Sequence, residues 1–327
     1  MGLLRKSFIL NKFLTQQTKL EYVRAMLISV ALYGNEIWAS SEKVLTTIMN
    51  KIGKLIGNMI GINNSNITLL LLDNGVMLPQ IEARRRQLKF LRSVASSNTN
   101  SWIFQLLNSA DYLDSKSDDQ ISWIREAVLF YRMNIHADAL TLPNDLVIKH
   151  MHMLLKSSVS TINEYAKTYL DVFYQDYVWN HLSSISNTDI HTGRIWLKRI
   201  RIGNYWMTKH INAINKRTPT NCLFCNKEIE TVEHMLFQCD RWTRQRTELF
   251  QQLNKLDSVV KIWTVAQESE KTQIMCGGRN KYGKIDENEY KTFIIDTMIF
   301  LDKIGKARKV WLQENELWPI RKEERTA

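Results

Sequence analysis

Apolar positions recur at helical spacing over several long stretches of the chain. The first stretch follows Thr18 and Glu21, which fit a capping box, and it predicts a helix that runs to about Trp38. Further helices are predicted over about 44–59 and, opened by a proline, over about 79–97. The apolar positions behind these three helices are Leu20, Val23, Leu27, Val30, Ala31, Val44, Ile48, Ile52, Leu55, Met59, Ile81, Leu88, Leu91 and Val94.

The remainder of the chain continues the helical pattern. Helices are predicted over about 120–136, 144–182, 240–256 and 286–315. Asp73-Asn74-Gly75 predicts a turn, because Asn and Gly tolerate positive φ. Only 12 Gly and 4 Pro occur among 327 residues, and 44% of the residues are hydrophobic. A chain with few helix breakers and enough apolar residues for a core is expected to have a mainly α fold.

Polar stretches between the helices indicate a division into four regions. The polar segment 183–192 predicts the principal boundary. We expect a helical N-terminal region over 1–97, a helical connector over 98–185, a basic metal-binding region over 186–256 and a C-terminal helical region over 257–327.

The net charge is +11 and the isoelectric point is about 9.4. An excess of this size favours a polyanionic partner, of which nucleic acid is the commonest, although a basic protein without such a partner is the alternative. No apolar run is long enough for a membrane span, and the N-terminal segment does not resemble a signal peptide. We therefore expect an intracellular protein of the nucleus or cytoplasm, with no membrane partner. In that environment, four cysteines are better explained as thiols or metal ligands than as disulfides.

Three of the cysteines form a metal-ligand pattern with one histidine. Cys222 and Cys225 are separated by two residues, and His234 and Cys239 follow as a second pair. Zinc prefers four tetrahedral thiolate and imidazole ligands, so this spacing predicts one Zn²⁺ ion. A closed set of four ligands indicates a structural metal rather than a catalytic one. The alternative is three buried cysteines with an unrelated histidine, and Cys276 is expected to be a thiol outside the site.

A basic stretch precedes the metal-ligand pattern. Between Asp189 and Arg217, seven cationic residues stand against one acid, a balance of 7 − 1 = +6. Some of them share one helix face at i, i+4, i+7 spacing, which suits phosphate binding, whereas the alternative is a solvated helix face. A second cluster of cationic residues, at 84–92, is likewise either a phosphate-binding surface or a solvated helix face. The predicted nucleic-acid-binding residues are Arg194, Lys198, Arg199, Arg201, Lys209, Lys216 and Arg217.

The segment Glu230-Thr231-Val232-Glu233-His234, which follows Cys222-Leu223-Phe224-Cys225, resembles the zinc-binding region of non-LTR (LINE-type) retrotransposon reverse transcriptases. Leu32–Trp38 is similar to the family's stretch just past the polymerase palm. Leu72–Val94 is similar to the thumb-side segment that follows. The resemblance implies a helical thumb-like region, a helical connector and a zinc-binding region, which together would bind element RNA or target DNA.

The resemblance also implies what this chain does not do. Polymerisation in the family needs paired aspartates on a hydrophobic hairpin, and the only Asp-Asp pair here, Asp118-Asp119, lies in a polar stretch. We therefore expect no catalytic residue, and polymerase activity would need a separately encoded partner. A zinc-stabilised protein-interaction module without nucleic-acid binding is the alternative function, and the preference between RNA and DNA is left open.

Overall fold

The computed structural model describes six continuous segments of the chain and a few positions between them. These are 14–34, 42–62, 66–95, 190–204, 219–278 and 285–315, together with Leu155, Tyr169, Val172, Phe173, Met207, Thr208 and Asn212. The helices predicted over 120–136 and 144–182 lie almost entirely outside these residues.

Within the described segments the fold is mainly α, as predicted, and the pairing of Asn221 with Ile229 is an isolated β-bridge. None of the helices in these segments combines the length and apolar character required to cross a membrane. The helices in chain order are α1 (Gln16–Tyr22), α2 (Ser29–Ala31), α3 (Glu42–Ile60), α4 (Ile67–Asp73), α5 (Pro79–Ala95), α6 (His191–Arg201), α7 (Thr243–Leu253), α8 (Asp257–Val265), α9 (Glu268–Met275) and α10 (Glu287–Glu314).

The first helical stretch begins at an earlier residue than predicted, and the side chains buried near its end differ from the predicted ones. Thr15, not Thr18, is the N-cap, and its hydroxyl accepts a hydrogen bond from the backbone N–H of Thr18 at 3.1 Å. Val23–Ile28 forms a π-helical turn between α1 and α2. The additional residue in that turn rotates the following side chains around the helix axis. Val30 is consequently 72% exposed, although its spacing predicted a core position, and Leu32 is fully buried instead.

The other predicted helices agree closely with the structure where it describes them. The segment expected over 44–59 is α3, and the one expected over 79–97 is α5. Asp286 caps α10 by accepting hydrogen bonds from two backbone N–H groups, so the predicted range of 286–315 includes both caps of that helix. The short helices α4, α8 and α9 were not predicted.

Helices α6 and α10 form the most extensive helix pair of the described residues. They approach so closely that a Cβ atom at Gly193 would lie 1.8 Å from the carbonyl oxygen of Met298. At Gly305 a Cβ atom would lie 2.3 Å from the ring of Trp196. Asp302 accepts a hydrogen bond from the backbone N–H of Gly193 at 3.2 Å. Glycine at both positions is therefore a requirement of the helix crossing.

The turn at Asp73-Asn74-Gly75 is buried and connects the N-terminal helices to α6. Asp73 accepts a hydrogen bond from Nε of Arg201 at 2.7 Å, in an ion pair that is almost inaccessible to solvent. Lys198 donates to the side-chain oxygen of Asn74, whose backbone carbonyl accepts from Arg24 at 2.6 Å. These contacts cross the boundary predicted near residue 185. The division into four regions stays a prediction, but the described helices share one apolar core.

Lys198 should make the stability of the protein depend on pH. Burial lowers the pKa of its ammonium group to about 7 from 10.5, with Asp73 opposing the shift and nearby arginines adding to it. Between these values the unfolded chain binds a proton that the folded protein does not, so the free energy of unfolding should rise with pH. One such group contributes a slope of up to about 1.4 kcal/mol per pH unit.

The measurement is chemical denaturation of wild type and Lys198→Met from about pH 6 to about pH 9. The stability of wild type relative to the variant should increase across the upper part of this range, because the variant has no group to titrate there. Lys54→Met, at an exposed position on α3, is the control and should follow wild type. Parallel pH profiles for wild type and Lys198→Met would contradict the assignment.

Candidate metal centre

The four predicted metal ligands lie together in the structure. One ligand atom from each of Cys222, Cys225, His234 and Cys239 is within 4.8 Å of all the others. The sulfur atoms of Cys222 and Cys239 are 3.7 Å apart, and the sulfur of Cys225 is 3.3 Å from Nε2 of His234. The fourth cysteine, Cys276, is buried and does not belong to this group. The cluster has the donor atoms and the spacing to hold a metal ion.

The first pair of ligands is shaped by a tight loop. Asn226 follows Cys225 with a φ of 56°, a left-handed conformation that asparagine adopts more readily than most residues. The loop is closed by two backbone hydrogen bonds, from Asn226 to the carbonyl of Cys222 at 2.9 Å and from Cys222 to the carbonyl of Glu228 at 2.7 Å. The N–H groups of Phe224 and Cys225 also donate toward the Cys222 sulfur. The backbone therefore directs both sulfurs to one side of the loop.

The second pair is delivered by a π-helical turn over His234–Gln238. Thr231 begins this turn, because its hydroxyl accepts a hydrogen bond from the backbone N–H of His234 at 3.0 Å. The N–H of Cys239 bonds to the carbonyl of His234 at 2.8 Å, and Cys239 itself is extended. The wide turn brings residues five positions apart to the same point. The spacing of His234 and Cys239 in the sequence does not reveal this π geometry.

Two of the three thiols of the cluster are poorly placed to ionise on their own. Burial raises the pKa of Cys222, and it raises the pKa of Cys239 to about 12 with a further contribution from Cys222. Burial opposes ionisation of Cys225 as well, but hydrogen bonds from backbone N–H groups and neighbouring thiols lower its pKa overall. A divalent cation would offset the cost of placing several thiolates together, and metal binding at such a site releases protons.

Glu228 lies behind the histidine ligand. Its carboxylate oxygen is 3.3 Å from Nδ1 of His234. A metal ion on Nε2 requires the imidazole proton on Nδ1, where Glu228 is the acceptor. Such outer contacts fix the ring orientation and tautomer of a ligating histidine. Glu228 falls between the two ligand pairs in the sequence, and its contact with His234 was not predicted.

We call residues 221–239, which carry the four ligands, the metal segment. Two further contacts hold the metal segment against α7 and the 3₁₀ turn Asp240–Trp242 that precedes it. Arg246 donates to the carbonyl oxygens of Leu236 at 2.9 Å and Cys239 at 2.6 Å, so one guanidinium satisfies two groups at the end of the π-helical turn. Phe224, in the cysteine loop, packs edge-on against Trp242 with ring centroids 5.0 Å apart. The metal segment consequently belongs to the main core and does not form an isolated unit.

The carboxylate of Glu230 connects the metal segment to α6 and α10. It forms a buried ion pair with Arg308 of α10, and it accepts a hydrogen bond from the backbone N–H of Thr208 at 2.8 Å. The guanidinium of Arg308 also lies 5.7 Å from the ring centroid of Trp196 on α6. Glu230 is part of the motif that carries the family resemblance, but its role in packing was not predicted.

The basic residues predicted on α6 are not exposed as expected. Arg194, Lys198 and Arg201 do share one face of the helix, but they are only 8%, 2% and 2% exposed. The expectation of a phosphate-accessible face is therefore wrong, because this face packs into the core around the Asp73-Asn74 turn. Arg199 is half-buried, and it donates to the carbonyl of Gly61 at 3.3 Å.

Of the remaining predicted cations, three lie outside the described residues, and two in the second cluster form ion pairs. Lys209, Lys216 and Arg217 fall among residues that the structure does not describe. In the second cluster, Arg85 and Arg86 both pair with Glu82, at 2.6 Å and 3.1 Å. The charge pattern of the sequence thus overestimated the number of cations on α5 and α6 that are exposed for phosphate binding.

Comparison with protein-family models, with curated proteins and with solved structures finds no match to this chain.

We expect one metal ion per chain, held by the four clustered residues. Cys225→Ala or His234→Ala should abolish stoichiometric binding, because three remaining donors leave an incomplete site. Cys276→Ala should retain the metal, since Cys276 lies apart from the cluster. Elemental analysis of protein purified without chelator measures the number of metal ions per chain. A metal-free wild type, or loss of metal from Cys276→Ala, would overturn the assignment.

Glu228→Gln should weaken metal binding without abolishing it, since the amide is a poorer acceptor for the Nδ1 proton of His234. We expect a loss of about tenfold in affinity, at the lower end of the range for such contacts because Glu228 is exposed. Glu248→Gln, which removes another carboxylate from the surface, is the matched control. Competition with a chromogenic chelator provides the affinities, and equal values for the two variants would exclude this role for Glu228.

Proposed function

We propose that the metal is a structural Zn²⁺ ion. A tetrahedral site with zinc–sulfur bonds of about 2.3 Å has sulfur–sulfur edges of about 3.8 Å. The observed separations of 3.7 Å between two sulfurs and 3.3 Å between sulfur and nitrogen are close to such edges. Among the common divalent ions, zinc is well suited to a donor set of three thiols and one imidazole. Four protein donors leave no position for water or substrate, which argues against a catalytic metal.

We further propose that the chain is the nucleic-acid-binding, C-terminal part of a non-LTR retrotransposon reverse transcriptase. The observation that carries the proposal is the convergence of Cys222, Cys225, His234 and Cys239, the residues on which the resemblance chiefly depends. The net charge of +11 supports a polyanionic partner. RNA or DNA would be bound through phosphates, with the metal ordering the fold. We assign no catalytic residue.

A protein-interaction module is the second candidate, and one observation favours it. Burial of Arg194, Lys198 and Arg201 removes the helix face that most strongly indicated nucleic-acid binding. In this alternative the metal still orders the segment, but the exposed surface recognises another protein. The two candidates differ in how binding responds to salt.

Nucleic-acid binding by the metal-loaded chain should depend steeply on salt. If about four phosphates are contacted, the slope of log K against log salt should be near −3 to −4. Fluorescence anisotropy with single-stranded RNA, single-stranded DNA and duplex DNA of mixed sequence measures this slope and any preference among them. Absence of binding to all three probes at low salt would reject the nucleic-acid function and leave the protein-interaction module.

A further inference from the structure

Helix α10 carries a row of exposed lysines. Lys303, Lys306 and Lys309 are all exposed, and no acidic residue occurs between the first and the last. Side chains three positions apart are neighbours on a helix surface, and the row extends about 9 Å along the axis. We call these three residues the α10 basic face. The intervening Gly305 and Arg308 are buried, so the helix divides clearly into a packed side and a cationic side.

The acids beside this face only partly balance its charge. Glu248 of α7 accepts from Lys303 at 2.9 Å and also from Arg244 at 3.3 Å, so one carboxylate serves two cations. Asp302, which is mostly buried, pairs with Lys306 at 2.5 Å. Four cations therefore stand against two acids, a local balance of 4 − 2 = +2. Solvent-exposed ion pairs contribute little to stability, so Lys303 can exchange the carboxylate of Glu248 for a phosphate at small cost. The ammonium group of Lys306 is itself exposed and can contact a phosphate while it stays paired with Asp302.

Two contacts link the α10 basic face to the metal segment. The Glu248–Lys303 contact joins α10 to α7, which follows directly after Cys239 and the short 3₁₀ turn Asp240–Trp242. The buried pair of Glu230 and Arg308 joins the same half of α10 to the metal segment. An ordered metal centre thus fixes the position of the lysines relative to the rest of the fold.

We propose that the α10 basic face binds the phosphate backbone of nucleic acid. The proposal rests on the proposed function and supplies an exposed site in place of the buried α6 cations. A nucleic-acid strand in a duplex carries one charge per about 3.4 Å along the helix axis, so a row of about 9 Å spans two to three phosphates. Contacts of this kind position a nucleic acid without reading its sequence. We therefore expect similar affinity for probes of different sequence.

The test compares two triple variants of the full, metal-loaded chain. The face variant replaces the three lysines of the α10 basic face, and the control variant replaces three lysines of α3. Both lose three exposed lysines from a single helix, so their net charges are equal. Loss of about three phosphate contacts should reduce the steepness of the salt slope by roughly 2 to 3, and should weaken binding at about 0.1 M salt roughly 100-fold. The control should bind within about threefold of wild type. The substitutions are Lys303→Gln, Lys306→Gln and Lys309→Gln in the face variant and Lys43→Gln, Lys51→Gln and Lys54→Gln in the control on α3.

A third variant with arginine at the three positions of the α10 basic face keeps the charge and should bind as wild type does. Metal content and thermal unfolding of each variant verify that the fold is intact. Equal binding by the face variant and wild type, or equal weakening of both triple variants, would overturn the inference while the proposed function stands. If wild type binds no nucleic acid, both fail. If it binds poly-glutamate through these lysines but not nucleic acid, an acidic protein is the partner and the inference is wrong.

Discussion

The buried ion pair between Glu230 and Arg308 is the contact on which the arrangement of the metal segment depends. Isolated charges inside a protein are costly, and a buried pair costs less when other groups around it also form hydrogen bonds or ring contacts with it. Here the other oxygen of Glu230 accepts from Thr208, and the guanidinium of Arg308 lies beside Trp196. Glu230 directly precedes Thr231, which begins the turn that carries His234. The position of the metal ligands is therefore coupled to the packing of α6 against α10.

This coupling changes what loss of the metal would do. A small metal-binding segment commonly folds only through its ligands. In the structure, Val232, Met235, Leu236 and Trp242 are buried in the same apolar cluster as the long helices. Disorder of the segment would expose these side chains and leave Arg308 without its carboxylate partner. A metal ion held by the four residues would consequently stabilise the interface of α6 and α10 as well as its own loop.

Local patterns in the sequence were reliable for the long helices and for the clustering of the metal ligands, and unreliable for the first helix cap and for exposure. The range of α10 and the four ligands follow from periodicity and spacing, which are properties of neighbouring residues. The burial of Lys198 and Arg201 depends on Asp73 and Asn74, more than a hundred positions earlier in the chain. The exposure of Val30 depends on a π-helical turn that leaves no distinct signal in the apolar pattern. Contacts between distant segments are what a single sequence does not reveal.

The crossing of α6 and α10 also bears on how a diverged relative of this protein would be recognised. Apolar core positions accept many substitutions of similar volume, and an exposed basic face can shift along a helix. Gly193 and Gly305 have no such freedom, since a single methyl group at either position meets backbone or an indole ring. A chain that keeps this helix pair must keep both glycines, even where its metal ligands have been replaced. The two glycines flank the metal segment in the sequence, one on each helix, and the helix crossing requires them independently of the cysteines between them.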